Sequence, residues 1–209
     1  MKDMLEYYAK NKTQIKNRLR DFEDSYKKDD KHVFSELCFC LLTPQAEAVE
    51  CDKAIKELKR TGLLYEGHPK AISPYIKAAR FLNKKAEFIV NARGLFKKNG
   101  CLRIKNCIDR NDIFKTREWL AENIKGMGYK EASHFLRNIG FGKNLAILDV
   151  HILKNLKNCG VINKIPKHLT KKEYLKIENK LRSFCKKIKI PMDELDLLFW
   201  SKETGFVFK

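Results

Sequence analysis

The sequence predicts an all-α protein, and three observations lead there. Apolar residues recur at helical spacing through most of the 209-residue chain, no segment sustains the alternation of a half-buried strand, and a Gly-x-Gly turn joins two helical patterns. Val33, Phe34, Leu37, Cys38, Leu41 and Leu42 fall at i, i+1, i+4, i+5, i+8 and i+9, which makes one apolar helix face. Phe81, Phe88, Ile89, Ala92, Leu95 and Phe96 mark a second helix. Gly62, Gly67-His68-Pro69, Ser73-Pro74, Asn99-Gly100 and Gly140-Phe141-Gly142 punctuate the chain without any Ser/Pro-rich linker or repeat. A helix from Thr116 to Ile124, with Trp119, Leu120 and Ile124 on one face, precedes the Gly-x-Gly turn, and another runs from Tyr129 to Ile139. The apolar run Leu145-Ala146-Ile147-Leu148 leads to Asp149, placed to cap a helix that begins at Val150. Thr170-Lys171-Lys172-Glu173 reads as a capping box for a helix whose face carries Tyr174, Ile177, Leu181, Phe184 and Ile188. Pro191 is expected to end it before a last helix from about Asp193 to Glu203.

Charge narrows the choice of partner. The chain carries 44 Lys and Arg against 26 Asp and Glu, a net charge of +18, which calls for an anionic partner, nucleic acid first. The basic residues recur along the whole chain, which suits a folded face tracking phosphates; a solvated lysine-rich surface is the competing reading. Seven cysteines (Cys38, Cys40, Cys51, Cys101, Cys107, Cys159 and Cys185) include no Cys-x-x-Cys pair, so neither a disulfide framework nor a zinc site is expected, and no cofactor is implied. They read as small buried apolar residues of a cytoplasmic protein. Met1-Lys2-Asp3 does not open a signal peptide and the run Leu37 to Leu42 is too short to span a bilayer, so no membrane partner is expected.

Chemistry concentrates at Ile124-Lys125-Gly126-Met127-Gly128-Tyr129-Lys130-Glu131-Ala132. Two glycines flanking one apolar residue turn the backbone sharply and leave the next helix's first amides facing outward, where the helix dipole favours an anion. With a helix on either side this is a helix-hairpin-helix, which grips a nucleic-acid backbone without reading sequence. Lys125, Gly126, Met127 and Gly128 are therefore candidate DNA contacts, although such glycine pairs also serve as simple helix stops. Lys130 falls in the first turn of the second helix, where the positive dipole end and partial burial both disfavour an ammonium and favour an amine able to form a Schiff base. The plain alternative is one more surface cation. Asp149 supplies a carboxylate partner for such an amine, and an N-cap role can coexist with that one. His134 and His151 lack metal-ligand spacing and read as partly buried hydrogen-bonding residues.

At these residues the chain resembles a known family. The segments from Lys125 to Gly140 and from Ala146 to Leu153 look like the core of the 8-oxoguanine DNA glycosylase/AP lyases of the helix-hairpin-helix superfamily, specifically the short family found mainly in archaea and some thermophilic bacteria. The similarity runs from Glu36 to Lys209, without the four-cysteine C-terminal loop that holds an iron-sulfur cluster in endonuclease III relatives. It implies two helical lobes, one of residues 30–110 and one of residues 1–29 with 111–209, separated by a cleft. It also implies a monomer acting on double-stranded DNA that contains a damaged base, with Lys130 as nucleophile and Asp149 as its carboxylate. Oxidised guanine is the implied base, other damaged bases and a non-catalytic DNA-binding module being the alternatives.

A glycosylase must take its base out of the stack, so its pocket needs flat walls. Phe81 and Trp200 are similar to positions lining that pocket; without the resemblance each reads as a core aromatic. Asp196 can bond a base edge or surface backbone. Lys209, through its carboxylate and ammonium, is expected to help distinguish 8-oxoguanine from guanine at N7 and C8, the alternative being a frayed tail. Pro44-Gln45-Ala46-Glu47-Ala48 departs from the Asn-containing segment expected in the family. Gln45 can fill the gap left by an extruded nucleotide or simply start a helix after Pro44.

Overall fold

The computed structural model describes residues 2–209, and these are almost wholly helical. In chain order the α-helices are α1 (Lys2–Lys27), α2 (Asp30–Leu42), α3 (Ala48–Arg60), α4 (Leu63–Glu66), α5 (Pro69–Ile72) and α6 (Leu82–Phe96). After them come α7 (Ile113–Asn123), α8 (Tyr129–Asn138), α9 (Val150–Asn158), α10 (Lys171–Ile188) and α11 (Met192–Thr204). Short 3-10 turns lie at Ser73–Ile76 and Ile104–Cys107. A two-residue antiparallel hairpin, β1 (Lys97–Lys98) with β2 (Cys101–Leu102), closes over Asn99 and Gly100, both at positive φ. Asn-Gly suits that turn, and strands this short leave no alternation to detect.

The chain forms two compact units, Ser25–Phe135 and Leu136–Lys209 together with the described residues up to Asp24. The resemblance implies bounds at residues 30 and 111, and in the Ser25–Phe135 unit α7 packs on the residues before it. The Trp119 ring meets Phe96 at 6.2 Å, and Thr116 Oγ1 accepts from Asp109 N–H at 2.8 Å.

In the Ser25–Phe135 unit α2 is the central helix. Val33 to Leu42 are buried without a break, Ser35 and Glu36 included, so the one-sided apolar face read from the sequence is a helix enclosed all round. Asp29 caps it by accepting from His32 N–H at 2.9 Å. In the other unit α10 buries Tyr174, Ile177, Leu181 and Cys185, and Thr170 caps it as the motif predicts. Phe184 and Ile188 instead stay half-buried along an open groove with Val161 and Leu175. The stop of α10 is Lys189 in the left-handed region (φ 57°), a residue before Pro191 could act; Pro191 instead precedes the first turn of α11, which begins at Met192. All seven cysteines are free; Cys38, Cys40, Cys51 and Cys185 are buried, Cys107 and Cys159 are half-buried, and Cys101 is exposed, against the expectation that all are buried. Among the described residues no helix is long and apolar enough to cross a membrane.

Candidate active site

The hairpin is built from α7, a tight turn and α8. α7 starts at Ile113, earlier than its apolar pattern suggests, because Asp112 caps it by accepting from Lys115 N–H at 3.0 Å. The turn closes where Met127 N–H reaches Ile124 carbonyl at 3.1 Å. Of the two glycines, Gly126 alone takes a left-handed φ, +84°, and a Cβ there would lie 2.2 Å from the Phe88 ring. Gly126 is thus required both by backbone conformation and by the close approach of α6. Gly128 has an ordinary φ, and its N–H donates to Glu131 Oε2 at 3.1 Å, the back-reaching half of a capping box. Lys125, Gly126 and Gly128 are exposed, whereas Met127 is buried as a whole and its N–H is spent on the Ile124 carbonyl, so Met127 is a packing residue of the turn and not the DNA contact expected of it. The two arms are locked together by Arg117 of α7, which is buried against the Tyr129 ring at 4.9 Å and donates to Ser133 Oγ at 3.3 Å. The sequence offered no sign of that role, since one arginine of α7 looks like any other.

Lys130 is the second residue of α8, and its side chain is about three-quarters buried (24% exposed). Its Nζ lies 3.1 Å from Glu131 Oε1, so one carboxylate holds both the amine and the Gly128 amide. Close by is a second lysine that sequence reasoning missed. Lys85 of α6 is only 5% exposed, and its Nζ donates to the carbonyls of Leu42 and Pro44, each at 2.6 Å. Loss of hydration on burial holds Lys85 below the usual lysine range, and the neighbouring Lys130 charge pushes the same way. Gln45 is exposed and left-handed (φ 56°) in a turn that precedes α3, so it is not a helix-start residue. Phe81 is left-handed too (φ 60°), stands just outside α6, and is 61% exposed beneath Arg80 at 5.0 Å. The core reading of Phe81 is therefore wrong, and an exposed aromatic held in a strained backbone position suits a binding surface. Within this unit the structure gathers Gln45, Phe81, Lys130 and the hairpin turn around α6: Lys85 ties α6 to the Gln45 turn, and Phe88 ties it to Gly126.

In the Leu136–Lys209 unit Asp149 caps α9, its Oδ1 accepting from Ile152 N–H at 2.8 Å, as the sequence suggested. The preceding run Leu145–Leu148 is buried but has no strand partner. Its backbone is satisfied by α10 instead: Ala146 N–H donates to Glu178 Oε1 at 2.8 Å, and the Tyr174 hydroxyl donates to Ala146 carbonyl at 2.6 Å. Asp149 thus stands at the end of an anchored segment. Asp196 is nearly buried and pairs with Arg137 at 3.1 Å, which overturns the reading of it as a surface residue bonding backbone. Trp200 is half-buried, with Phe206 edge-on at 5.4 Å and Phe208 stacked at 6.1 Å, and the Phe208 carbonyl accepts from Arg18 Nε at 3.1 Å. The segment leading to the half-buried Lys209 is therefore tied down and not frayed. In the Ser25–Phe135 unit His134 is buried edge-on to Phe39, deeper than the partly buried position expected, and in the other unit His151 faces Glu203 at 3.9 Å.

An all-α fold, a helix-hairpin-helix and a shielded lysine at the start of its second helix define a class: helix-hairpin-helix proteins that combine a grip on a phosphate backbone with an amine set beside it. The family profile described as 8-oxoguanine DNA glycosylase matches residues 15–190, and the chain belongs to that family. It is 45% identical over 204 residues to the 8-oxoguanine DNA glycosylase/AP lyase of Fusobacterium nucleatum, covering 97% of this chain and 94% of that one. Identity to the protein of the same name from Methanocaldococcus jannaschii is 39% over 202 residues, 93% and 91% of the two chains. The crystal structure of the 8-oxoguanine DNA glycosylase of Thermotoga maritima matches with a TM-score of 0.89 at 34% identity, covering all of this chain and 97% of that one. The Methanocaldococcus jannaschii 8-oxoguanine glycosylase/lyase, in complex with a 15mer DNA containing 8-oxoguanine, matches with a TM-score of 0.88 at 35% identity and full coverage of both chains.

Proposed function

We propose that this protein excises 8-oxoguanine from duplex DNA and then cleaves the abasic strand by β-elimination. The observation that carries the reading is Lys130, shielded and held by Glu131 in the first turn of the hairpin's second helix, in a chain of this family. In the proposed reaction the Lys130 amine attacks C1′ as the glycosidic bond breaks and its electron pair leaves with the base. The Asp149 carboxylate offsets the positive charge that develops on the sugar and helps to place the amine. Ring opening then leaves an iminium on Lys130, which acidifies the C2′ hydrogen; loss of that proton expels the 3′ phosphate. A water nucleophile would form no iminium, so the lyase step requires the amine.

The remaining assignments belong to the same proposal. Phe81 and Trp200 wall the flipped base, Asp196 and Lys209 contribute polar contacts to it, Gln45 fills the gap in the duplex, and the exposed residues Lys125, Gly126 and Gly128 of the turn meet phosphates. The protein works on nucleoid DNA as a monomer and without a cofactor. Borohydride reduction in the presence of an 8-oxoguanine duplex tests the reading: the wild type should yield a covalent protein-DNA adduct, and Lys130→Gln should yield none while still binding DNA. Trapping that persists in Lys130→Gln removes Lys130 as nucleophile, and trapping only with other lesions moves the substrate to another damaged base.

A further inference from the structure

We infer that Lys85 is a positioning residue for Gln45: it holds the Thr43–Ala46 turn in the one form that sets the Gln45 side chain where a gap in the duplex would receive it. The inference rests on the proposed gap-filling role of Gln45. The turn is closed by Ala46 N–H on the Thr43 carbonyl at 3.1 Å, with Pro44 second and Gln45 third at φ 56°. Proline second and a positive φ third is the type II arrangement, in which glycine or asparagine normally takes the third place. A glutamine there favours the alternative type I form, and the two differ by a rotation of roughly 160° of the peptide joining the second and third residues. The carbonyl of that peptide is Pro44 O, one of the two atoms bonded by Lys85 Nζ.

The other bonded atom is Leu42 O, in the last turn of α2, so a single buried amine spans from the central helix to the peptide that would flip. An apolar side chain could fill the same volume without losing hydration, but it could hold neither carbonyl. Lys85 also lies close enough to Lys130 for their charges to interact, and α6 meets Gly126 through Phe88. The same helix therefore references the Gln45 turn to the hairpin that carries the amine.

The experiment is a double-mutant cycle of Lys85→Met and Gln45→Ala, read as single-turnover excision from an 8-oxoguanine duplex, alongside borohydride trapping at a preformed abasic site. If Lys85 acts through Gln45, each single variant loses about ten-fold in excision and the double variant loses no more than the worse single one, the signature of coupled residues. A loss of trapping at the abasic site in Lys85→Met that Gln45→Ala does not share means that Lys85 acts on the Lys130 amine and not through Gln45, which overturns the inference. Multiplicative losses, or excision by Lys85→Met at the wild-type rate, overturn the inference. If Lys85→Met does not fold, Lys85→Gln, which keeps a donor group but no charge, replaces it in the cycle. A wild type that excises nothing overturns the proposed function instead, and the same cycle, read as affinity for a duplex with one unpaired nucleotide, then decides the role of Lys85.

Discussion

Asp149 is a residue whose two roles a single substitution separates. Its Oδ1 accepts from Ile152 N–H as the cap of α9, and the proposed reaction needs its negative charge. Asparagine caps a helix about as well as aspartate but carries no charge, so Asp149→Asn should lower stability by no more than about 0.5 kcal/mol. Excision should fall by roughly a hundred-fold or more, the scale seen when a group that stabilises transition-state charge is removed. Thermal melting and single-turnover excision measured side by side check this, and equal activity in the variant would reduce Asp149 to a cap. The cap was legible because it needs only Asp149 ahead of a helical pattern. The partners that anchor the segment before it, Tyr174 and Glu178, were not, because they come from α10 and the pairing is made only when the chain folds.

The hairpin gives a prediction at the level of the element. Its two glycines look equivalent in sequence but are not equivalent in structure. Gly126→Ala puts a Cβ into a left-handed backbone, at about 1–2 kcal/mol, and drives it into the Phe88 ring of α6. Gly128→Ala keeps an ordinary φ, and its Cβ would meet only the Glu131 carboxylate at 3.2 Å, a side chain end that can move, so it should cost under about 1 kcal/mol. Gly126→Ala should therefore be the more destabilising and the weaker DNA binder of the two. Denaturant unfolding and duplex titration of both variants test it, and a reversed order would show that Phe88 and the turn do not set the hairpin's shape. Helix existence was legible at this scale, while some helix ends were not: α7 begins at Ile113 because of Asp112, and α10 ends on Lys189 before its proline can act.

For the molecule as a whole, the net charge of +18 makes phosphate contacts dominate binding. Affinity for undamaged duplex should fall by roughly a hundred-fold or more between 50 and 200 mM salt, with little dependence on sequence. Neutralising one phosphate contact, for example with Lys125→Ala, should reduce the slope of log affinity against log salt by about 1. Fluorescence anisotropy titrations across salt concentrations measure both, and a slope near zero would place the positive charge away from DNA.

The sequence by itself determined the all-α class, the helix-hairpin-helix, Lys130 at the start of the hairpin's second helix, and Asp149 as an N-cap. Each depends on residues close together in the chain, where spacing and capping chemistry act directly. Tertiary structure decided what distant segments do to one another. It enclosed α2 on every side, stood Phe81 outside α6 as an exposed aromatic, paired Asp196 with Arg137, and buried Lys85 on two carbonyls. Lys85 is one of 44 basic residues and carries no local mark. Whether such a side chain is solvated or becomes an internal tie depends on which backbone groups are brought to it, and that is settled by packing, not by its neighbours in sequence.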